Sequence, residues 1–193
     1  MFGDLALQFL DKKDFTSVLD IGSGRGEATR HFMQRGKSVT SVDIVNVGTP
    51  NVTIGNYMDL KLGKYDLIWA SHVLEHQLNV NAFLSKCRSE QDEGGLICIT
   101  VPPLKHEIVG GHVTLWNAGL VMYNLILAGY NCRECHIKQY GYNISVIAKA
   151  DNFTLPALRY DYGDIDTLKE FFPPEFGYQG FNGDIREYNW PGM

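Results

Sequence analysis

The densest chemistry-bearing stretch of the chain is His72-Val73-Leu74-Glu75-His76. As a bare pattern it fits H-x-x-E-H, a zinc-hydrolase signature. That motif works inside a long helix, whereas the residues before it, Lys64-Tyr65-Asp66-Leu67-Ile68-Trp69, read as the end of a buried strand. The context is therefore wrong for a hydrolase. If a helical turn begins near His72, then His72, Glu75 and His76 share one face at i, i+3 and i+4. A divalent-ion site built from these three is open on that spacing but not favoured, because no fourth ligand is assured. Supporting roles for Glu75 and His76 are the favoured reading. Cys132-Arg133-Glu134-Cys135 also invites a metal or redox reading. On a strand, however, positions i and i+3 face opposite sides, so the two thiols are not expected to meet.

The elements that must position these residues follow from the hydrophobic pattern. Strands are predicted at Ser17–Gly22, Ser38–Ile44, Val52–Ile54, Tyr65–Ala70 and Gly95–Val101, with helices over Glu27–Arg35 and Asn79–Gln91. The fourth and fifth strands are near-continuous apolar runs, as expected of strands covered on both faces. After Pro102-Pro103 come the loop Lys105–Val113, with His106 and His112, and a helix about Leu115–Ala128. Strands about Asn131–Gln139 and Tyr142–Ala150 follow, too closely spaced for a crossover helix, so they must pair antiparallel. The expected fold is α/β: a doubly wound, mostly parallel seven-stranded sheet closed by an antiparallel C-terminal hairpin, in three α/β/α layers. Residues 1–150 form that domain, and 151–193 an arm.

The first strand ends in Asp20-Ile21-Gly22-Ser23-Gly24-Arg25-Gly26. Glycines there allow a tight turn and let a ligand approach the backbone. The spacing is G-x-G-x-G rather than the G-x-G-x-x-G that cradles a pyrophosphate. Asp20, just before the first glycine, would repel a phosphate and suit a cationic amine. Asp43 ends the second strand, where an acid can accept both ribose hydroxyls. A ribose, an ammonium and no phosphate describe S-adenosylmethionine (SAM) better than NAD.

Together, Asp20-x-Gly22-x-Gly24-x-Gly26, Asp43, Asn56-Tyr57-Met58 and Tyr65-Asp66-Leu67-Ile68 resemble the successive motifs of class I SAM-dependent methyltransferases, of the type 11 and type 23 kind, over about residues 15–150. The resemblance implies that Asp20 and the Gly22, Ser23 and Gly24 backbone hold the methionine moiety. Asp43 takes the ribose and Ile44 packs on the adenine. Asn56 and Tyr57 meet the adenine edge, Asn56 through its carbonyl oxygen in place of the family's frequent acid. Ser71 and His72 stand beside the methionine group. Rivals on the same fold are a non-catalytic module that binds SAM or its product S-adenosylhomocysteine (SAH), and a SAM-cleaving enzyme.

Four of the six histidines then gather on the carboxyl rim of the sheet, where ligands sit in open α/β folds. Methyl transfer is an in-line displacement on an activated sulfonium, so positioning supplies much of the rate. A hydroxyl acceptor gains from a base near neutral pH, and His76 or His112 is the candidate. Trp116, Tyr140 and Tyr142 are potential walls for an acceptor, though single aromatics more often belong to the core. The (D/N/S)-P-P-(Y/F/W) segment of amino-directed DNA enzymes is absent after the fourth strand, which reads Ala70-Ser71-His72-Val73.

Composition narrows the partners. In 193 residues with 45% hydrophobic content, the net charge is −5, and residues 1–150 hold 14 acidic and 14 basic side chains against 8 and 3 in 151–193. No basic run exists to neutralise phosphates, so nucleic acid is not an expected partner. No apolar run would span a bilayer, no signal peptide is evident, and four cysteines make no disulfide framework, which points to the cytoplasm. The arm carries 10 of the 23 aromatics. It is expected to pack on its own domain or on a second subunit in a homodimer. Its Gly163-Asp164-Ile165, Phe171-Phe172-Pro173 and Asn189-Trp190 loosely resemble methyltransferases found with surface-glycan genes. A small-molecule or saccharide acceptor, methylated at oxygen, is the leading expectation.

Overall fold

The chain is described by a computed structural model that covers residues 3–191. Eight strands form one sheet: β1 Ser17–Ile21, β2 Ser38–Asp43, β3 Thr53–Ile54, β4 Tyr65–Ser71, β5 Gln91–Val101, β6 Asn131–Tyr140, β7 Asn143–Lys149 and β8 Glu187–Tyr188. Their order is β3-β2-β1-β4-β5-β7-β6-β8. The first five run parallel, while β7 is antiparallel to β5 and β6. This is the predicted doubly wound sheet with its closing hairpin. The chain winds outward from β1 on one side and β4 on the other, so a crevice opens between their carboxyl ends.

Period-two alternation makes this sheet the wall between two apolar cores. Leu19, Ile68, Ile97, Ile99 and Val146 face one core, closed by α3 (Val80–Ser89) and α4 (Ala118–Leu127). Val18, Leu67, Trp69, Cys98 and Ile147 face the other, closed by α1 (Asp4–Leu10) and by Phe32 of α2 (Glu27–Gln34). The central strands β1, β4, β5 and β7 thus bury both faces over most of their length, which explains why β4 and β5 read as apolar runs. Side-chain caps set two helix starts. Asn79 accepts from Ala82 N–H at 3.1 Å and Asn117 from Leu120 N–H at 2.8 Å. The second cap moves the start of α4 past the expected Leu115.

Four features depart from the sequence reading, the first being that the sheet has eight strands rather than seven, because Glu187–Tyr188 pairs with β6. Helix α1 was not anticipated, and β5 starts at Gln91, ahead of the expected Gly95, with an irregular register beside β4. Cys132 and Cys135 do not face opposite sides. A register shift between Asn131 and His136 inserts a bulge, which turns both buried thiols towards Met122 of α4, at 3.6 Å from its carbonyl oxygen and 3.9 Å from its sulfur. A bulge breaks the strict alternation on which the expectation rested.

The arm returns to the sheet. Leu168, Phe171, Phe172 and Ile185 are buried in the α3/α4 core, with Phe172 against Tyr123 and Phe181 at 6.1 and 5.6 Å between ring centroids. The chain then adds β8 to the exposed edge of β6, with an ion pair between Lys138 and Glu187. It seats Trp190 on Phe9 of α1, 4.7 Å between centroids. Covering an edge with a short, charged strand suppresses pairing with other chains. Because Phe172 is fully buried, Phe172→Ala is expected to lower the unfolding free energy by ~3–5 kcal/mol. Chemical denaturation checks this, and a loss under ~1 kcal/mol would show that the arm contributes little to the fold.

Candidate active site

The turn after β1 is built from residues that tolerate positive φ. Gly22 (φ 69°) and Gly26 (φ 72°) both adopt it. Neither has room for a Cβ, which would strike Val73 at Gly22 and come within 2.9 Å of Thr49 at Gly26. Thr49 is held against the turn by a 2.6 Å bond from its hydroxyl to the Gly24 carbonyl. Asp43, at the end of β2, accepts the Gly24 N–H on one oxygen (2.7 Å) and the Val45 N–H on the other (3.1 Å). A carboxylate oxygen has two acceptor sites, so each keeps one for a ligand hydroxyl.

Around this clasp the crevice has two lobes that share Gly22. One, of about 260 Å³, is lined by Asp43, Ile44, Asn56, Tyr57, His72 and His76 among others. Ile44 is 71% exposed there, free to cover a flat ring. The other, of about 290 Å³, is lined by Asp20, Ser23, Gly24 and Ser71. Each of the ten residues expected to meet the cofactor therefore lines at least one of these two lobes. Two of them differ in how they take part. Tyr57 turns its ring into the core against Phe83 (5.5 Å), and burial pushes its phenol far above its ordinary value. Asn56 already uses its carbonyl oxygen to cap Met58 N–H at 3.1 Å, so that atom has one acceptor site left.

Asp20 is 1% exposed and accepts a 2.6 Å bond from Thr29, whose hydroxyl also meets Ser41 at 2.8 Å. Burial raises its carboxyl to about 6, against the opposing Thr29 bond and with a further push from Asp43. Nearby, the Ser71 hydroxyl is buried without a hydrogen-bond partner among the described residues. A charge and a hydroxyl held out of water in one lobe are suited to a ligand cation.

His72 does not open a helix. Its φ is 56°, uncommon for a residue with a side chain, and a 3-10 turn at Leu74–His76 follows. The shared helical face of His72, Glu75 and His76 is thereby lost. His72 Nδ1 stands 3.2 Å from Glu75 Oε1, and Nε2 3.1 Å from Asn143 Oδ1. Its ring lies on Tyr142, 6.1 Å between centroids. His76 Nδ1 is 2.8 Å from the Gly111 carbonyl, which can only accept, so Nδ1 is the donor there and Nε2 is the nitrogen turned to Glu75.

A second cavity, of about 190 Å³, lies beyond these rings and is lined by Lys105, His112, Trp116 and Tyr142 among others. His76 meets His112 edge-on at 5.0 Å, and His72 stacks on Tyr142. Two ring pairs thus separate the crevice from this cavity. His106 is exposed and does not line it. Tyr140 lies elsewhere, its hydroxyl 2.9 Å from Ser145. Sequence reasoning missed Thr29, Thr49, Val73 and Asn143, ordinary residue types that matter only because of what they touch.

No curated protein sequence matches the chain. Among solved structures, a SAM-dependent methyltransferase from Archaeoglobus fulgidus is 20% identical with a TM-score of 0.63, covering 76% of this chain and 93% of that one. Burkholderia thailandensis 1,6-didemethyltoxoflavin-N1-methyltransferase, bound to its substrate and SAH, is 17% identical with a TM-score of 0.61 over 70% and 71% of the two chains. Human N-acetylserotonin methyltransferase in complex with SAM is 17% identical with a TM-score of 0.64 over 78% of this chain and 52% of that one. At these identities the likeness shows the fold. The family is shown by sequence: the methyltransferase-domain family model matches residues 2–126. With the glycine turn, the acidic clasp and this sheet order on the same residues, the chain belongs to the methyltransferase-domain family and is a class I SAM-dependent methyltransferase.

Proposed function

We propose that the enzyme moves the sulfonium methyl of SAM to a hydroxyl oxygen of a small molecule or saccharide held in the second cavity. The observation that carries this reading is the pair of ring contacts, His76 on His112 and His72 on Tyr142, standing between crevice and cavity. The cavity's size favours a small acceptor or the end of a larger one, and Trp116 and Tyr142 contribute to its lining. Asp43 is assigned to the ribose, Ile44 to the adenine, and Asp20 with the Gly22–Gly24 backbone and Ser71 to the methionine end.

In this reading His76 Nε2, with His112 beside it, takes the acceptor's proton. The oxygen forms its bond to the methyl carbon as the carbon–sulfur bond breaks, and that electron pair stays on sulfur, giving neutral SAH. No further co-reactant is needed. Four buried thiols suit a reducing compartment, in line with a cytoplasmic site of action. Among the described residues, no helix is long and apolar enough to cross a membrane.

Asp20 makes cofactor binding pH-dependent. Its folded-state carboxyl, at about 6, lies above the ordinary 3.8. The folded chain thus holds this proton more tightly than the unfolded one, and the associated stability is lost as pH rises through about 6. A ligand ammonium favours the ionised form. SAM affinity should therefore fall by up to ~tenfold per pH unit below the group's pKa, and Asp20→Asn should flatten that profile. The same variant is expected to be at least as stable as the wild type at pH 7.5, because it removes a buried charge. Calorimetry and thermal melts across pH 5–8 read both effects, and a pH-independent wild-type affinity would remove Asp20 from the cofactor's cation.

Asp43→Ala should weaken SAM by ~1–3 kcal/mol in calorimetry. An unchanged affinity would take Asp43 out of the ribose site. Methyl-labelled SAM incubated with panels of hydroxylated metabolites and sugars tests the reaction itself. Label should appear on an acceptor's oxygen, and His76→Ala should lower kcat by ~10²-fold or more. Label that stays on intact SAM, or leaves in a fragment of it, would overturn the proposed transfer.

A further inference from the structure

We infer that Glu75, His76 and His112 form a site for one divalent transition-metal ion at the rim between the crevice and the second cavity. One ligating atom from each lies within 4.8 Å of the other two. Small side-chain rotations close that to the ~3–4 Å separation of donors around an ion with bonds of ~2.0–2.2 Å.

Three independent features point to a cation. Glu75 is fully buried, yet neither carboxylate oxygen accepts a hydrogen bond among the described residues. His72 Nδ1 stands 3.2 Å from Oε1 as an ion-pair contact, and His76 Nε2 is 3.9 Å away. Burying a carboxylate with so little support is costly, and coordination is one of the few ways to offset it. Second, His76 Nδ1 donates to the Gly111 carbonyl. Its Nε2 is therefore the nitrogen turned to the carboxylate, 3.9 Å from Oε1, a gap too wide for a direct hydrogen bond. A backbone carbonyl on the far nitrogen is also how ligating histidines are usually oriented. Third, the donors are fixed together: Val113 and Thr114 N–H both bond the Glu75 carbonyl, at 2.9 and 3.3 Å. The loop that carries His112 is thereby stapled to the turn that carries the other two.

The donor set differs from the one the H-x-x-E-H spacing offers. His72 stands aside, between Glu75 and Asn143, and His112 from the distant loop takes its place. Two imidazoles and one carboxylate favour zinc, cobalt, nickel or ferrous iron over magnesium or calcium, which prefer oxygen. Three protein ligands leave a position open. His76 lines the cofactor crevice and His112 the second cavity, so an acceptor oxygen has access to it. With the ion bound, His76 Nε2 would be a ligand and the ion, in its place, would lower the pKa of the acceptor hydroxyl. That use rests on the hydroxyl-acceptor reading, whereas the binding site does not.

The test needs neither SAM nor acceptor. Full-length protein, dialysed against chelator, is titrated with Co²⁺ by visible absorbance and with Zn²⁺ by calorimetry. One saturable equivalent with cobalt ligand-field bands is expected. His112→Ala and Glu75→Gln should each weaken it ~tenfold or more, and His106→Ala, in the same loop but outside the cluster, should leave it unchanged. If Glu75→Gln does not fold, the rim variant His112→Ala carries the test alone. No saturable binding by the wild type, or equal binding by His112→Ala, overturns the site. Metal bound with no label reaching oxygen would sink the acceptor reading and leave the site standing. Oxygen methylation by a chain that binds no metal would do the reverse.

Discussion

A single carboxylate ties the cofactor crevice together. Asp43 ends β2, and its two oxygens take backbone N–H groups from Gly24 and Val45. The first of these bonds fixes the glycine turn that follows β1, and the second fixes the chain as it leaves β2. Both segments border the two lobes, so these bonds fix the shape of the crevice. Charge-assisted bonds of this kind are among the stronger ones available. The turn can approach so closely because Gly22 and Gly26 have no side chains where Val73 and Thr49 now pack.

The opposite wall is organised around a buried acid, Glu75. The Glu75 backbone carbonyl binds the loop that bears His112, while its side chain sits beside His72 and His76. One residue thus sets the position of three imidazoles drawn from two separate segments. The unusual φ of His72 belongs to the same arrangement. It aims the ring at Asn143 and Tyr142 instead of letting the strand run into a helix. Strain at such a position persists only when its surroundings impose it, and here a backbone bond to Thr100 and the Glu75 and Asn143 contacts do so.

Much of the fold was legible because its signals are local. The runs Leu67–Ala70 and Ile97–Val101 announce strands buried on both faces, and the short link at Tyr140-Gly141 leaves only an antiparallel return. Strand β8 was not legible. Glu187-Tyr188 has no apolar run, and it becomes a strand only because the edge of β6 is there to pair with. Helix α1 is short and opens on the left-handed Gly3, without a side-chain cap. The Cys132/Cys135 expectation failed for a similar reason, since a bulge is a property of two paired strands rather than of one.

Read alone, the residues of this protein determined the glycine turn, the mostly parallel sheet with its antiparallel return, and the acids at the ends of the first two strands. These depend on which backbone angles glycine permits, on how apolar side chains alternate, and on where acids fall relative to strand ends. Tertiary structure decided which imidazole joins Glu75, that Asp20 loses its water, and that the aromatic tail closes the sheet's edge. Such outcomes turn on distances between residues far apart in the chain. No local preference encodes those distances, and only the packing of the whole sets them.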